Sequence, residues 1–581
     1  MSNLISTKYK RFLFSNEGAE KIKSTLDKGQ NWPVVYILNG ASEAYVGETN
    51  NAYKRIGQHL ENPKRSVMTD VLLLLNDSFN KSATLDIENK LIQFMHADGK
   101  FKLQNENAGQ SVQHNYYQRG LYEQCFLDIW NELKRKKLAN KTLYEIRNSE
   151  IFKYSPYKEL TEDQFTCVER LLAVTGKSLE QQLSSKLVIQ GGAGTGKTVL
   201  AVYFIKCLMD ILSRNTNFED LDEVLPEDSP ILQSAQLVKA IQEHKELKVA
   251  FVVPAPSFRE TVKKIFRVTN GLKPSVVIGP NDIAKKDYDI VIVDEAHRLQ
   301  RRKDLVNYGA YDAVCNSLGL SHDATQLDWI MAKKRPLTVL FYDAKQRVKN
   351  TDMLEDSFNN FINGAEVINL TAQLRIQGGN EYIQFINDLL NNNNNVSYES
   401  NKYDLLVFDD YGKMEQAIKA QNAKNEGLCR IVSGISYPYS TKMRDKVAKK
   451  ELDVDVDGDG KYLRMWNLGF NDPTFITDES HKDEIGCVYT CQGYDLNYVG
   501  VILGPDIFYN KETKKIDIHI EKCTDKKTKV KDNEEETKQN ILHQYLVLLT
   551  RGIYGTYIYA VNKDLRDYLN ECIKTKRENV N

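Results

Sequence analysis

Eight consecutive residues, Gly191-Gly192-Ala193-Gly194-Thr195-Gly196-Lys197-Thr198, satisfy the pattern G-x4-G-K-[ST] of a phosphate-binding loop. Glycines permit a tight turn whose N–H groups face phosphate oxygens, and the N-terminus of a following helix adds positive potential. Lys197 is expected to reach the β- and γ-phosphates, and the hydroxyl of Thr198 is expected to ligate Mg²⁺. This octapeptide therefore predicts a nucleoside triphosphate site.

Two acids, Asp294 and Glu295, follow the apolar run Asp289-Ile-Val-Ile-Val293. A carboxylate at the end of a buried strand is where phosphoryl-transfer enzymes hold Mg²⁺, and the next glutamate can polarise the attacking water. Acidic pairs after strands are common on protein surfaces, but one that accompanies a phosphate-binding loop favours catalysis. Asp294 is therefore expected to bind the metal and Glu295 to activate water.

A second group of polar residues lies within residues 34–107. The runs Val34-Val35-Tyr36 and Tyr45-Val46-Gly47 predict two short strands, joined by a tight turn near Asn39-Gly40. Each tyrosine alone is more typical of core packing than of a site.

The helix that is expected next has Asn50 or Asn51 as its cap and carries Arg55 and His59 on one face, four residues apart. A later helix near residues 83–97 places Glu88 among apolar residues. Asn105 and Asn107 close the stretch, and the sequence does not distinguish which of them would support a site.

The elements that must position these residues change along the chain. Residues 115–150 have helical, amphipathic character and are interpreted as a connector. From about residue 151, short apolar strands alternate with longer helical segments, which predicts a parallel α/β sheet. The expected strands are Lys186–Gln190, Val249–Val253, Asp289–Val293, Thr338–Tyr342 and Arg430–Ser433.

The 581 residues carry 78 Lys+Arg against 79 Asp+Glu, a formal net charge of −1. This balance excludes a highly basic protein that coats DNA but not a local basic patch. No apolar run is long enough for a signal peptide or a membrane span. The nine cysteines are dispersed, which favours buried reduced thiols in the cytoplasm over disulfides or a zinc site.

The region 151–575 resembles superfamily 1 helicases in the order and spacing of several motifs. Gln164 lies where these helicases keep a glutamine that reads adenine, and Gln346 where a glutamine senses the γ-phosphate. The resemblance implies that Arg375 and Arg551 approach ATP from a second lobe. The matching runs are Leu160–Gln164, Val252–Pro256, Phe341–Gln346, Leu374–Arg375, Val488–Asp495 and Leu548–Gly552.

More narrowly, this region looks like the domain-of-unknown-function 2075 family, also called the Schlafen group 3-like DNA/RNA helicase domain. The resemblance is carried by Phe152–Tyr157, Leu374–Gly379, Asp483–Gly493, Tyr498–Ile502, Tyr545–Gly552 and Tyr557–Tyr559.

The polar residues of the N-terminal region resemble the GIY-YIG endonuclease module. By that resemblance Glu88 binds a divalent cation, Tyr36 activates water or assists in doing so, and Tyr45 joins the same network. Arg55 would neutralise the transition state, and His59 would act as a general acid or base or orient the substrate. Val34 replaces the usual glycine of the first motif, which weakens the recognition more than the chemistry.

The resemblances imply an α/β protein with a small α/β GIY-YIG nuclease domain followed by two RecA-like parallel-sheet P-loop lobes. The expected ranges are 1–112 for the nuclease, 113–150 for a helical connector, 151–355 for the first lobe and 356–581 for the second. ATP and Mg²⁺ are the expected cofactors, with Mn²⁺ as an alternative at the nuclease site. The expected location is the cytoplasm, away from membranes.

The function expected first is an ATP-dependent nuclease–helicase that acts on DNA, similar to bacterial anti-phage nuclease–helicases. One alternative is an RNA helicase or RNA-cleaving factor, since contacts to phosphates do not distinguish the two polymers. Another is an ATP-gated nucleic-acid sensor with an inactive nuclease module. The sequence leaves open whether the chain assembles with itself or with another protein.

Overall fold

A computed structural model of the chain describes residues 6–573. Within that range the described residues exclude 26–29, 106–115, 193, 214–229, 306, 344–345, 347–350, 375, 394–395, 425–427, 439–453, 468–474, 477, 492–494 and 532. Among the predicted site residues, Ala193, Arg375 and Asn107 therefore lie outside the described part of the chain.

The N-terminal module is a five-stranded sheet with the order β1-β4-β2-β3-β5, antiparallel except for the pairing of β3 with β5. Helices lie between the strands, and α2 is capped by Asn51, whose side chain accepts a hydrogen bond from the N–H of Lys54. The strands are β1 Lys8–Leu13, β2 Gln30–Gly40, β3 Glu43–Asn51, β4 Met68–Leu75 and β5 Lys102–Leu103. The helices are α1 Asn16–Thr25, α2 Ala52–Glu61, the 3-10 turn Pro63–Arg65 and α3 Lys81–Asp98.

The predicted turn at Asn39-Gly40 is wrong by two residues. Strand β2 continues through Gly40, and the turn falls at residues 41–42. A side chain at Gly40 would come 2.1 Å from the carbonyl oxygen of Val67, so this glycine allows the neighbouring chain to approach closely. Its role is packing and not the turn.

The connector is three helices and belongs to the N-terminal module. These helices are α4 Arg119–Arg135, α5 Leu143–Asn148 and α6 Glu150–Lys153. Phe126 and Trp130 of α4 pack in one hydrophobic core with Val35 and Leu72 of the sheet, and Tyr157 joins the same core. The N-terminal module therefore extends well beyond the predicted limit at residue 112.

The first lobe is a six-stranded parallel sheet with the order β11-β6-β10-β9-β7-β8. Its strands are β6 Ser185–Gly191, β7 Val249–Val252, β8 Val277–Ile278, β9 Ile290–Val293, β10 Leu337–Tyr342 and β11 Glu366–Leu370. Its helices are α7 Glu162–Glu180, α8 Lys197–Leu212, Pro230–His244, Pro256–Val268, Tyr308–Ser317, Gln326–Met331 and Glu355–Ile362, with 3-10 turns at Pro274–Val276, Pro280–Lys285 and Ala296–Arg298. Since β11 pairs with β6, this lobe extends past the predicted boundary at residue 355.

The second lobe is a seven-stranded sheet with the order β12-β20-β17-β13-β16-β15-β14, parallel except for β14 with β15. Its strands are β12 Asp404–Val407, β13 Cys429–Ser433, β14 Val454–Asp455, β15 Leu463–Trp466, β16 Glu484–Cys487, β17 Leu496–Leu503 and β20 Gly552–Ala560, and a separate hairpin is formed by β18 Ile507–Asn510 and β19 Lys515–Ile518. Its helices are Gly379–Leu390, Tyr411–Lys424, Val488–Cys491, Glu534–Leu549 and Lys563–Cys572, with 3-10 turns at Glu479–His481 and Ile520–Lys522.

The prediction of two parallel-sheet lobes is thus confirmed. All nine cysteines are buried, and none forms a disulfide. No helix in the described part of the chain is long and apolar enough to cross a membrane.

Candidate active sites

The phosphate-binding loop lies between strand β6 and helix α8, as the sequence predicts. Gly194 and Gly196 have φ angles of +83° and +80°, a left-handed backbone that favours glycine. Gly196 directly precedes the first residue of α8, Lys197. The loop therefore turns its backbone toward the positive end of a helix, which is the arrangement that binds phosphates.

The ammonium of Lys197 is buried and has three oxygen neighbours. It donates to the carbonyl oxygens of Gly191 at 2.6 Å and Gly192 at 2.9 Å, and lies 3.2 Å from Oδ2 of Asp343. The same oxygen of Asp343 accepts a hydrogen bond from Nε2 of Gln346 at 2.7 Å. Asp343 thus connects the loop lysine to the glutamine that was expected to sense the γ-phosphate.

Asp294 has the environment that a Mg²⁺ ligand requires. It is fully buried, and its Oδ1 accepts the N–H of Glu295 at 2.9 Å. The hydroxyl of Thr198 also hydrogen-bonds to this carboxyl group, whereas Oδ2 has no hydrogen-bond partner among the described residues. Burial, and then the charge of Glu295, raises the pKa of Asp294 to about 7. A divalent cation held by Asp294 and Thr198 would compensate this buried charge.

Glu295 is held in a strained conformation beside two basic side chains. Its φ of +52° is uncommon for a residue other than glycine, and such outliers concentrate at functional sites. Its Oε2 lies 3.2 Å from Nε2 of His297 and 3.1 Å from Nε of Arg298. Burial opposes ionisation, but His297 and Arg298 outweigh it, and the pKa of Glu295 lies below its usual value. The carboxylate is therefore ionised, as an acceptor for the proton of water must be.

A cavity of about 550 Å³ opens in front of these groups and is bordered by both lobes and by the connector. The lining from the first lobe includes Thr161, Gln164, Gly194, Gly196, Lys197, Thr198, Glu295, Arg298 and Gln346. The lining from the second lobe includes Asp495, Arg551, Ile553 and Tyr554, and the connector and the residues just after it contribute Arg147, Phe152, Lys153, Tyr154 and Lys158. The cleft therefore brings together the phosphate-loop lysine, Glu295 and Arg551, which were predicted from separate motifs.

Gln164 touches the phosphate-binding loop and also caps a helix. Its Nε2 donates to the carbonyl oxygen of Thr195 at 3.1 Å. Its Oε1 accepts the N–H of Thr161, while its own N–H donates to the hydroxyl of Thr161, a reciprocal capping box at the start of α7. The cap fixes the side chain against the loop, at one wall of the cleft.

Four of the predicted nuclease residues form one cluster. The hydroxyl of Tyr36, which is fully buried, lies 2.8 Å from Nε2 of His59. Nε of Arg55 donates to the same hydroxyl at 3.4 Å, and the ring of Tyr45 contacts His59 edge-on at 4.9 Å between centroids. A side chain at Gly47 would come 2.2 Å from the Tyr36 hydroxyl, which is why glycine faces this tyrosine.

The acid–base state of this cluster is set mainly by burial. Burial lowers the pKa of His59 to about 3, with contributions from Arg55 and Arg65, so the imidazole is neutral. Burial, and then Tyr45, raises the pKa of Tyr36 well above its ordinary value. The Tyr36 hydroxyl therefore keeps its proton and can donate it to His59.

Glu88 lies within electrostatic reach of Arg55 and Tyr36. Burial, and then the neighbouring Glu48, raises its pKa to about 8. Glu48 itself accepts hydrogen bonds from Lys81 and from the hydroxyl of Thr84. A divalent cation on Glu88 would stabilise the ionised form that burial disfavours, so this residue fits the predicted ligand role.

Asn105 supports the wall of this cluster through the backbone. Its Oδ1 accepts the N–H of Val46 at 3.1 Å, and its Nδ2 donates to the carbonyl oxygen of Val46 at 2.8 Å. Val46 stands between Tyr45 and Gly47, so the amide fixes the strand that carries both.

Residues 184–562, more than half of the chain, match the Schlafen group 3, DNA/RNA helicase domain. The chain belongs to this helicase family. The prediction of that family is confirmed, and with it the helicase interpretation of the two lobes.

The chain is also similar to one yeast protein and to two solved helicase structures. The uncharacterized protein YPL245W of Saccharomyces cerevisiae is 29% identical over 449 residues, which cover 71% of this chain and 90% of the yeast protein. Among solved structures, Bacteroides Pif1 bound to ssDNA matches 43% of this chain with 12% identity and a TM-score of 0.18. Pif1 helicase from Candida albicans matches 71% of this chain and 99% of its own chain, with 9% identity and a TM-score of 0.25. The chain spans 55% of the Bacteroides structure.

Sequence reasoning missed several residues around the two sites. In the helicase domain, Asp343 was part of a quoted motif, but only the structure shows that it pairs with Lys197. In the N-terminal module, Arg65 and Glu48 border the predicted residues without matching any motif element. The connector residues of the cleft were missed because their approach to the cleft depends on tertiary packing.

Proposed function

We propose that this chain is an ATP-dependent nuclease–helicase: the two lobes move along or unwind DNA, and the N-terminal module cleaves phosphodiester bonds with a divalent cation. The observation that carries the nuclease part is the convergence of Tyr36, His59, Arg55 and Tyr45 with the half-buried carboxyl group of Glu88. Defence against foreign DNA is the biological role that the pairing of such a nuclease with a helicase suggests.

In the helicase domain, the residues of the cleft divide the work of ATP hydrolysis. Lys197 and the loop N–H groups would bind the phosphates, and Glu295 would accept the proton of the attacking water. A Mg²⁺ held by Thr198 and Asp294 would neutralise charge on the phosphates. Arg551, buried at the cleft wall with its Nε on the carbonyl oxygen of Val547, would stabilise the transition state when the lobes close.

In the nuclease module, Tyr36 and His59 provide a path for one proton. The attacking water would give a proton to the Tyr36 oxygen as the Tyr36 hydroxyl passes its own proton to Nε2 of His59. Arg55 would stabilise charge on the scissile phosphate, and Glu88 would hold the cation that orients it.

One experiment tests both halves. The purified chain is incubated with single- and double-stranded DNA and RNA, with Mg²⁺ or Mn²⁺ and with or without ATP, while ATP hydrolysis and cleavage are measured together. Glu88→Ala should abolish cleavage and keep ATP hydrolysis, and Lys197→Ala should abolish ATP hydrolysis that nucleic acid stimulates.

The outcomes separate the alternatives. Full nucleic-acid-stimulated hydrolysis by Lys197→Ala would refute the motor assignment, and cleavage that survives Glu88→Ala would refute the nuclease assignment. Stimulation of ATP hydrolysis by RNA alone would indicate that the substrate is RNA and not DNA. ATP hydrolysis without metal-dependent cleavage would leave a nucleotide-gated nucleic-acid binder.

A further inference from the structure

Arg65 is a buried cation next to the nuclease cluster. It ends the 3-10 turn Pro63–Arg65 that follows α2, and only 3% of it is exposed. Its guanidinium lies over the ring of Tyr45, with Cζ 4.0 Å from the ring centroid. Arginine so placed makes a cation–π contact that is stronger when water is excluded.

The hydrogen bonds of Arg65 reach a neutral partner. Its Nη1 donates to Oε1 of Gln104 at 2.5 Å, and Nε2 of Gln104 donates in turn to Oε2 of Glu43 at 2.7 Å. Among the described residues no carboxylate lies within ion-pair distance of Arg65, and its Nε has no hydrogen-bond partner. A buried charge without a counter-ion opposes folding, so its presence indicates a use beyond stability.

The position of Arg65 connects it to the proposed proton path. The ring of Tyr45 contacts both the guanidinium of Arg65 and the imidazole of His59. His59 is in turn bonded to the hydroxyl of Tyr36. Gln104 also precedes Asn105, the residue that fixes the backbone of Val46, so Arg65 ties this edge of the sheet to Tyr45.

We propose that Arg65 is a positioning residue of the nuclease site: its guanidinium stacks on the ring of Tyr45 and holds that ring against His59. This inference rests on the proposed nuclease function. The ionisable groups that face His59 are Tyr36 from β2, Tyr45 from β3, Arg55 from the same helix and Arg65 from the turn behind it. Of the two cations among them, Arg65 is the one that stacks on the ring of Tyr45.

The test compares Arg65→Met, Arg65→Lys and the control Arg11→Met in the full-length chain. Arg11 is an exposed arginine of the same sheet, paired with Asp70. Metal-dependent cleavage is measured from pH 5 to 9, and the titration of His59 is followed by NMR on the chain labelled with ¹³C-histidine, with His59→Gln used for assignment. Circular dichroism verifies that each variant is folded.

Arg65→Met should lower kcat for cleavage at least about tenfold with little change in KM, because Tyr45 and His59 lose their fixed positions. The pKa of His59 should rise only slightly, because burial and Arg55 contribute more to its low value than Arg65 does. Arg65→Lys should keep the His59 titration near that of the wild type but recover only part of kcat, since an ammonium lacks the planar face that stacks on Tyr45. Arg11→Met should match the wild type.

An unchanged kcat and pH profile in folded Arg65→Met would overturn the proposal. If the wild type itself cuts no polymer, the proposed nuclease function fails, and the ring resonances of His59 still decide the inference: shifted His59 signals in Arg65→Met at neutral pH support the placement of Tyr45 against His59 by Arg65, and unchanged signals refute it. If Arg65→Met is unfolded, the test relies on Arg65→Lys. A wild-type kcat in Arg65→Lys would refute the stacking role of Arg65, whereas a reduced kcat with an unchanged His59 titration would support that role.

Discussion

The imidazole of His96, in the N-terminal module, lies 2.9 Å from the hydroxyl of Thr269 in the first lobe, and both side chains are buried. The Thr269 hydroxyl donates to the carbonyl oxygen of Ile265, so Nε2 of His96 must be the donor to Thr269. The hydroxyl of Ser155 then donates to Nδ1 at 3.4 Å. The module and the motor are therefore joined through a neutral histidine whose two nitrogens are both satisfied.

This neutral histidine predicts that the chain loses stability in acid. Burial, and then Lys206, lowers the pKa of His96 in the folded chain to about 3 from an ordinary value of 6.5. Between these two values only the unfolded chain binds the proton, so stability falls as the pH falls below 6.5. At pH 5 the loss should be about 2 kcal/mol from His96. Thermal unfolding measured from pH 7.5 to 4.5 should show this decline.

The matched variants for this prediction are His96→Gln and His244→Gln. His96→Gln should reduce the decline of stability with falling pH but not abolish it, since His59 also has a pKa of about 3 in the folded chain and remains. His244 is exposed at the end of a helix, and its replacement should leave the decline as it is. An equal decline in both variants would contradict the assignment to His96.

Replacing Asp343 should impair ATP hydrolysis in two distinguishable ways. Asp343→Ala removes the group that holds both Lys197 and Gln346, and the loss of a charge-assisted hydrogen bond of this kind should lower kcat roughly tenfold to a hundredfold. Asp343→Asn keeps an oxygen for Gln346 and loses only the charge beside Lys197. Steady-state ATPase assays of both variants measure the difference.

If the two variants have equal kcat, the charge beside Lys197 accounts for most of the contribution of Asp343 to kcat. If the kcat of Asp343→Asn approaches that of the wild type, the contact with Gln346 accounts for most of it. Wild-type kcat in both variants would show that Asp343 has no part in catalysis. Asp312→Asn is a suitable control, because Asp312 pairs with Arg302 at the surface of the same lobe.

The helicase site could be predicted from sequence because its groups come from short contiguous runs. The loop 191–198 contains the phosphate-facing backbone, the lysine and the proposed metal ligand together, and the strand before Asp294 is continuous and apolar. Asp343 stood in a recognised run, but its partner Lys197 lies 146 residues earlier in the chain. Such a pairing follows from the adjacency of β6 and β10, which local patterns do not encode.

In the N-terminal module, too, contacts between residues that are distant in the sequence could not be predicted. Tyr36, Arg55, His59 and Glu88 could be selected as a set, because their spacing matches a family pattern. Arg65 could not, since an arginine after a helix end is normally a surface residue and its burial depends on Tyr45 of β3 and on Gln104, which follows β5. The packing of the helical connector could not be predicted, because the residues that face the sheet core, such as Trp130, have the same helical spacing as those of an independent helix.

Gly47→Ala should abolish cleavage while leaving ATP hydrolysis intact. Gly47 pairs with Tyr36 across the hairpin, and the added methyl group would lie 2.2 Å from the Tyr36 hydroxyl. Tyr36 must then move away from His59, and overpacking of this kind costs about 1–3 kcal/mol. Cleavage, ATPase activity and thermal unfolding should be measured on the same preparation.

Gly57→Ala is the control for that substitution. Gly57 lies in α2 with no atom within 4 Å of the new methyl group, and alanine favours the helix by about 0.5–1 kcal/mol. This variant should cleave like the wild type and unfold at a slightly higher temperature. Cleavage by Gly47→Ala at the wild-type rate would show that the Tyr36–His59 contact is dispensable.

The buried ion pair between Lys206 and Asp210 lies close to the contact between the N-terminal module and the first lobe. It should stabilise the folded chain only when both charged side chains are present. Lys206 is 1% exposed and Asp210 5%, and Lys206 also lies 5.8 Å from the ring centroid of Tyr157, which packs edge-on against His96. Asp210→Asn leaves a buried ammonium without its counter-ion, which should cost about 3–5 kcal/mol. The double variant Lys206→Met/Asp210→Leu removes both charges, and its free energy of unfolding should lie close to that of the wild type.

A double-mutant cycle on Lys206 and Asp210, measured by thermal or denaturant unfolding, isolates the coupling between them. Because the charge of Lys206 also contributes to the low pKa of His96, the double variant should have a higher His96 pKa and lose less stability in acid than the wild type. Additive effects of the two single substitutions would contradict the pairing. A decline in acid identical to that of the wild type would show that burial alone, without Lys206, keeps His96 neutral.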